Sequence, residues 1–340
     1  MKKQRLRTWP FWLLGIILAL ILFVSLLLNL AAVAVLAGDG DSVNATPEDE
    51  FPSFEEVASY GSEGPKVIRI DLTEEITRSD ATSSLLGSST HDRVEAWLRQ
   101  IRCAAADPKV KGLLIEVDSP GGGITASDEL YHEILRFKEA ESGRVIVALV
   151  HDMAASGAYY AILPSDKIIA QPTALVGSVG VLLSSVNAAD LAQKLGIRDA
   201  TLTSGPNKDA MNPLKPLDPA QVALLQAEID TMYDRFLGLV SHHRHVSRSK
   251  LREVCDGRVL GAQAALEHKL IDQIGYREDA LDVLASLLKT DSVRVVRYQA
   301  SSSFLDDLLG LRSALTPISA RISRLLGTSS SDRLQARYAP

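Results

Sequence analysis

Apolar residues are distributed very unevenly along the chain. No charged residue occurs between residues 9 and 37, whereas about 20 apolar residues already suffice for a helix to cross a bilayer. The segment before this run is basic and the segment after it is acidic. Because positive charge favours the cytoplasmic side, we expect a transmembrane anchor over residues 9–37, with residues 1–8 in the cytoplasm and the rest of the chain outside.

A cleaved signal peptide is the alternative to a retained anchor. Ala32, Val33 and Ala34 resemble the small residues of a cleavage site. The apolar run, however, is roughly twice as long as the apolar core of an ordinary signal peptide. This length favours the anchor.

The polarity pattern changes twice after the apolar run. Residues 38–64 are rich in Ser, Asp, Glu, Pro and Gly, which predicts a flexible linker. Short apolar runs then alternate with segments of helical periodicity from residue 65 to residue 290. This alternation predicts an α/β domain with a largely parallel sheet, followed by a C-terminal strand and tail over residues 291–340. Strands are predicted over 67–72, 113–117, 145–150, 167–170 and 179–184, and helices over 91–106, 125–138, 154–163, 187–195, 219–245, 247–254 and 262–268.

Composition and charge narrow the class of protein. A net charge of -6 without a basic cluster argues against a nucleic-acid partner. Cys103 and Cys255 are the two cysteines and form no CxxC pair, so neither a disulfide framework nor a cysteine metal site is expected. His242, His243 and His245 lie at a predicted helix end, where a solvated face is the simpler interpretation than a metal site. No cofactor is expected.

Two short segments carry candidate chemistry. Residues 118–123 read Asp-Ser-Pro-Gly-Gly-Gly and follow one apolar run, and residues 153–160 follow the next. Glycines let backbone N–H groups approach an oxyanion closely, and Ser156 at a strand-to-helix junction is a candidate nucleophile. Alternatively, the first segment is a plain turn or a phosphate-binding nest, and Ser156 is a helix cap.

A serine nucleophile needs a base that removes its proton. His151 is one candidate because it lies five residues before Ser156. A lysine can serve if burial lowers its pKa from about 10.4 towards neutrality, which requires a site without a carboxylate partner. Lys208, in the loop segment 203–213, is such a candidate, although composition alone does not choose between Lys208, Lys215 and Lys167.

The combined motifs at 118–123, 155–160 and 173–181 resemble the signal peptide peptidase A family of serine peptidases, peptidase family S49. The resemblance covers residues 67–288 and includes the stretch 257–275. It implies a Clp protease/crotonase-like fold of repeated β-β-α units, with residues 65–290 as the peptidase domain. One departure is Met153-Ala154-Ala155, where the family often has glycine or a hydroxyl residue.

The resemblance also implies a role for each matching residue. Ser156 would be the nucleophile, Lys208 the general base and Ser178 the serine that orients Lys208. Gly122 and the backbone N–H of Gly157 would form the oxyanion hole.

The implied function is a membrane-anchored serine endopeptidase that degrades cleaved signal peptides left in the membrane. Its place would be the bacterial cytoplasmic membrane, with an extracytoplasmic catalytic domain, and its assembly a ring-like homo-oligomer, such as an octamer, with pockets shared between neighbours. The alternatives are a related protease acting on other membrane or misfolded proteins, an inactive membrane-anchored scaffold of the same fold, and a crotonase-type acyl-CoA enzyme.

Overall fold

The computed structural model describes residues 9–38, 54–78 and 92–300. The chain divides into two compact units between Glu48 and Asp49. The expectations for residues 1–8, for most of the linker and for the tail after residue 300 lie outside the described residues.

The first unit contains helix α1, Trp9–Gly38, with 30 residues. Its side chains are described at residues 15–27, 29 and 30, and the large apolar ones among them are exposed. None of the helices, taken over their described residues, combines the length and the apolar character that a bilayer crossing requires.

The second unit is a mixed α/β domain built on one sheet, which confirms the predicted class. Its strands are β1 Phe54–Tyr60, β2 Lys66–Thr73, β3 Val110–Ser119, β4 Val145–Ala155, β5 Lys167–Ala170, β6 Leu175–Gly177, β7 Val259–Gly261, β8 Gln273–Ile274 and β9 Arg294–Ala300. Its helices are α2 Arg93–Ala106, α3 Ile124–Ala140, α4 Gly157–Ile162, α5 Ala189–Lys194, α6 Pro219–Arg244, α7 Arg248–Arg252, α8 Ala262–Glu267 and α9 Arg277–Leu288.

The sheet has the strand order β1-β9-β2-β3-β4-β5-β8, with β6 beside the end of β4 and β7 beside β6. The pairs from β9 through β8 are parallel, and so is β4–β6, whereas β1–β9 and β6–β7 are antiparallel. Parallel strands need crossover connections, and helices α2 and α3 occur in these crossovers.

Both faces of the central strands are buried. On β3, Leu113, Ile115 and Val117 belong to the larger core, which includes α2, α3 and α4. Leu114, on the opposite face, packs in a second core with residues of α9. Strands covered on both faces consist of nearly continuous apolar residues, which is why the sequence predicted them well.

Two chain ends of the domain differ from the prediction. Residues 54–60, expected in the flexible linker, form β1 and pair with β9 from Phe54 with Ala300 onward. Strand β9 lies inside the sheet between β1 and β2 rather than after the domain. The linker prediction failed because β1 is a half-exposed strand whose partner lies more than 200 residues away, so local composition carries no trace of the pairing.

The segments around Ser156 and Ser178 also differ. No strand forms over 179–184; the strand is β6, which ends at Gly177. Strand β4 continues to Ala155 because Met153–Ala155 pair with β6, so helix α4 begins at Gly157 and not at residue 154.

Candidate active site

Three neighbouring parallel strands end side by side. Ser119 at the end of β3 pairs with Ala154 of β4, and Ala155 of β4 pairs with Gly177 of β6. The carboxyl ends of parallel strands are where α/β proteins bind ligands. The residues that follow these strands therefore meet at one place, although they are separated widely in the sequence.

A cleft of about 640 Å³ opens at this place. It brings together Ser156, Ser178 and Gly122, three of the five predicted site residues. Its lining consists of Glu75, Pro120, Gly121, Gly122, Ile124, Ser156, Ser178, Gly180, Val181, Leu182, Gln226, Ile229, Asp230, Tyr233, Asp256 and Gly257.

Ser156 has a strained backbone. Its φ of 50° and ψ of -122° are rare for a residue with a side chain, and such a conformation costs about 1–3 kcal/mol. The turn is held from both sides: the Ser156 N–H donates to the Gly177 carbonyl at 2.8 Å, and the Tyr160 N–H donates to the Ser156 carbonyl at 3.0 Å. Strain of this kind concentrates at functional sites.

The glycine loop lies directly against the Ser156 turn. Gly121 has a φ of 94°, and a Cβ at this position would lie 2.6 Å from both the Ala155 carbonyl oxygen and the Gly157 nitrogen. A Cβ on Gly157 would in turn lie 3.2 Å from the Gly122 nitrogen. Only glycines permit this approach.

The N–H groups of Gly122 and Gly157 donate to no acceptor in the described part of the chain. Gly157 is buried and does not itself line the cleft, but it lies close to Gly122, which does. Two neighbouring unpaired backbone donors beside a serine hydroxyl can bind an oxyanion.

The segment that follows β2 holds the glycine loop in place, a feature that no sequence motif indicated. The Ile76 N–H donates to the Gly121 carbonyl, and the Gly123 N–H donates to the Ile76 carbonyl, both at 2.8 Å. The fully buried Ser119 hydroxyl donates to the Glu74 carbonyl. These contacts join residues that are more than 40 positions apart, so no local sequence signal reveals them.

Lys208 is not brought to Ser156 within one chain. It lies in a turn in which its N–H donates to the Gly205 carbonyl at 3.2 Å, its side chain is exposed, and it does not line the cleft. Over the described residues, the cleft lining contains no Lys, Arg or His. The cleft of a single chain therefore holds the Ser156 hydroxyl, and the titratable side chains that line it are the acidic Glu75, Asp230 and Asp256 and the phenol of Tyr233.

The other two candidate lysines have carboxylate partners. Lys215 binds Asp209 at 2.6 Å and Asp199 at 3.0 Å, and the hydrogen bonds to Asp209 and Asp199 raise its pKa. Lys167 lies 3.4 Å from Asp272. Lys208 forms no ion pair with a carboxylate of the described residues, which distinguishes it from the other two lysines, but its side chain is exposed rather than buried in a single chain.

His151 is engaged elsewhere. Its Nε2 lies 3.0 Å from a Glu116 carboxylate oxygen, and its Nδ1 lies 2.9 Å from the Gln171 side-chain nitrogen. Both ring nitrogens are thus occupied, and His151 does not line the cleft.

Of the three histidines at the end of α6, His242 and His245 are exposed, whereas His243 is tied into the fold. His243 Nε2 lies 2.9 Å from the Tyr131 hydroxyl, and burial lowers the pKa of His243 to about 4. Among the described residues, no group of three His, Cys, Asp or Glu side chains is arranged to hold a metal ion.

Comparison with known proteins agrees with this geometry. The family model "Peptidase family S49" matches residues 138–291. A candidate signal peptide peptidase SppA of Enterococcus faecium is 35% identical over 261 residues, covering 76% of this chain and 75% of that protein. A candidate protease of Methanocaldococcus jannaschii is 30% identical, covering 72% of this chain and 78% of that protein.

Two further similarities are more partial. Protease 4 of Salmonella typhi is 30% identical over 61% of this chain and 33% of its own length. A solved structure of a ClpP1 mutant from Listeria monocytogenes has a TM-score of 0.39 and 14% identity, and it covers 62% of this chain and 93% of that chain. From the first two relatives and the matching family model, the chain belongs to peptidase family S49 and is a serine peptidase.

Proposed function

We propose that this chain is a membrane-anchored serine endopeptidase that degrades cleaved signal peptides left in the membrane, with Ser156 and Lys208 as its catalytic dyad. The observation that carries the proposal is the strained Ser156 turn in a cleft beside the two unpaired N–H groups of Gly122 and Gly157. This arrangement suits acyl transfer, in which a nucleophile and an oxyanion hole act together.

The reaction follows from these roles. Neutral Lys208 takes the proton from the Ser156 hydroxyl, and the oxygen attacks the peptide carbonyl carbon. The N–H groups of Gly122 and Gly157 bind the resulting oxyanion. Lys208 then protonates the leaving amine as the C–N bond breaks, and water, activated by Lys208, hydrolyses the acyl-enzyme. Ser178, which lines the same cleft, orients Lys208.

We propose that Lys208 reaches Ser156 from a neighbouring copy of the chain, in a ring-like homo-oligomer such as an octamer. The support is that Lys208 is exposed and away from the cleft of its own chain. The part of the chain that precedes it carries apolar side chains that are exposed in one chain, with Leu182 81%, Val186 79% and Leu202 97% accessible. Exposed apolar surface of this kind marks protein interfaces.

The anchor remains part of the proposal. Its support is the sequence, because residues 9–37 are free of charge and about 20 apolar residues suffice for a helix to cross a bilayer. The basic residues before α1 favour a cytoplasmic N-terminus and an extracytoplasmic catalytic domain on the bacterial cytoplasmic membrane.

The substrate class is supported by the lining of the cleft. Ile124, Val181, Leu182 and Ile229 line it, and apolar walls suit the apolar core of a signal peptide.

The test uses the full chain in detergent and a fluorogenic signal peptide. We expect Ser156→Ala and Lys208→Ala to lose about 10³-fold or more in kcat. The matched control is Lys194→Ala, an exposed lysine of α5, which should retain the wild-type rate. If either dyad variant keeps that rate, the assignment of the dyad is wrong.

Mixing the two inactive variants tests the shared site. Random co-assembly should restore roughly a quarter of the wild-type rate, because one site in four combines an intact serine with an intact lysine. No recovery in mixed oligomers would argue against a lysine supplied by the neighbour. The substrates of the wild-type protein separate the remaining alternatives. Cleavage of unfolded proteins but not of signal peptides would support the alternative substrates. Hydrolysis of an acyl thioester without any peptide cleavage would support a crotonase-type reaction.

A further inference from the structure

Ser127 lies beneath the two proposed oxyanion donors. It is in the first part of α3 and is 1% exposed. Its hydroxyl donates to the Gly123 carbonyl at 2.9 Å, and its backbone N–H donates to the same carbonyl at 3.0 Å. One carbonyl therefore fixes the orientation of the Ser127 side chain and ties it to the end of the loop that contains Gly122.

The same side chain contacts Gly157. A Cβ built on Gly157 would overlap the Ser127 hydroxyl oxygen and lie 3.1 Å from Ser127 Cβ. The Ser127 hydroxyl thus occupies the space beside the Gly157 Cα in which a side chain would otherwise lie. Ser127 is bonded to the loop of one donor and packed against the backbone of the other.

We infer that Ser127 is a positioning residue that sets the separation between the N–H groups of Gly122 and Gly157. The inference rests on the proposed oxyanion hole. Donors act best when they lie 2.7–3.1 Å from the oxyanion, so a spacer that shifts either donor by several tenths of an ångström changes the stabilisation of the transition state. A hydroxyl serves as this spacer because its hydrogen bond to the Gly123 carbonyl prevents rotation about χ1.

The first test compares Ser127→Ala with a matched buried control. Ser165→Ala removes a serine hydroxyl that is buried and without a partner in the described structure, and Ser165 does not line the cleft. We expect Ser127→Ala to lower kcat by about 10- to 100-fold, less than the 10²–10³ for complete loss of a donor. KM should stay within about twofold, since the donors act mainly on the transition state.

A peptide boronic acid provides the readout that a purely structural role would not change. Its tetrahedral adduct with Ser156 imitates the oxyanion, and its affinity should fall by the same factor as kcat. Equal kcat and equal boronate affinity for Ser127→Ala and Ser165→Ala would overturn the inference. Ser127→Cys is the second variant should the alanine fail to fold: it fills the site with a larger atom, and an unchanged kcat would equally overturn the inference.

The second test is a double-mutant cycle between Ser127 and Gly157. Gly157→Ala alone should be nearly inactive, because its Cβ overlaps the Ser127 hydroxyl. Adding Ser127→Ala removes that overlap, so the double variant should be more active than Gly157→Ala alone. If the fold-loss in rate of the double variant equals the product of the two single fold-losses, the two residues are not coupled. Wild-type protein without peptidase activity or boronate binding would remove the proposed function and this inference together, whereas a normal wild type with an unaffected Ser127→Ala removes the inference alone.

Discussion

Replacing Gly122 with alanine should strongly reduce the catalytic rate while the domain still folds. A Cβ on Gly122 would overlap the Ile76 carbonyl oxygen and lie 2.6 Å from the Ile76 carbonyl carbon and 2.8 Å from its nitrogen. All three atoms are backbone of a fully buried residue, so no side-chain rotation relieves the contact. The glycine loop must move away from Ile76.

The size of the effect follows from that movement. A displacement of about 1 Å restores ordinary van der Waals distances, and a misplacement of this size can cost about 10²-fold in rate. Loss of one oxyanion donor costs 10²–10³-fold, or about 2.7–4 kcal/mol, so we expect a fall in kcat within this range. The two hydrogen bonds between Ile76 and the loop, each contributing about 0.5–1.5 kcal/mol, set the expected loss of stability at about 1–3 kcal/mol.

The assay is the kcat for a chromogenic peptide together with urea unfolding. Gly123→Ala is the matched control, because a Cβ on Gly123 meets its nearest atoms at 3.7 and 4.0 Å and its φ of -61° suits any residue. A Gly122→Ala protein with wild-type kcat, or a Gly123→Ala protein that is equally slow, would refute the reasoning.

Three further substitutions probe the turn, the pH dependence and the lysine-bearing segment. Ser156→Gly should exceed Ser156→Ala in unfolding free energy by about 1 kcal/mol, because glycine adopts φ 50° without strain; identical urea midpoints would contradict this. His243→Asn should lose less stability than wild type as the pH falls from 6.5 to 4, because burial lowers the pKa of His243 to about 4 and only the unfolded chain binds a proton in that interval. The expected difference is about 1–2 kcal/mol, because the ring is only half-buried. If urea unfolding shows the same loss of free energy between pH 7 and pH 5 for wild type and variant, this expectation is wrong. Lys215→Met should slow peptide cleavage about tenfold with an unchanged melting temperature, because Lys215 joins Asp199 and Asp209 in the segment that contains the proposed base Lys208; a wild-type rate would show that this junction is dispensable.

Local sequence patterns predicted much of the domain. The strand Lys167–Ala170 was predicted at its observed bounds, and α6, Pro219–Arg244, differs by one residue at its C-terminal end. Such elements are visible because burial on both faces requires apolar residues, and because Asp218 caps α6 with proline at its first position. The positions of Ser156 and the glycine loop after apolar strands likewise predicted that they would meet.

Tertiary contacts decided the rest. Three pairings depend on the folded chain. Strand β1 pairs with β9, Ile76 pairs with Gly122, and Lys215 forms an ion pair with Asp209. Ser119 pairs with Ala154 and Ala155 pairs with Gly177, so the register of the sheet brings the residues after these strands together. The sequence by itself determined the buried strands, the long helices and the chemical groups, since these depend on local polarity and residue type. Only the tertiary structure decided which groups meet, because distance and burial are properties of the folded chain.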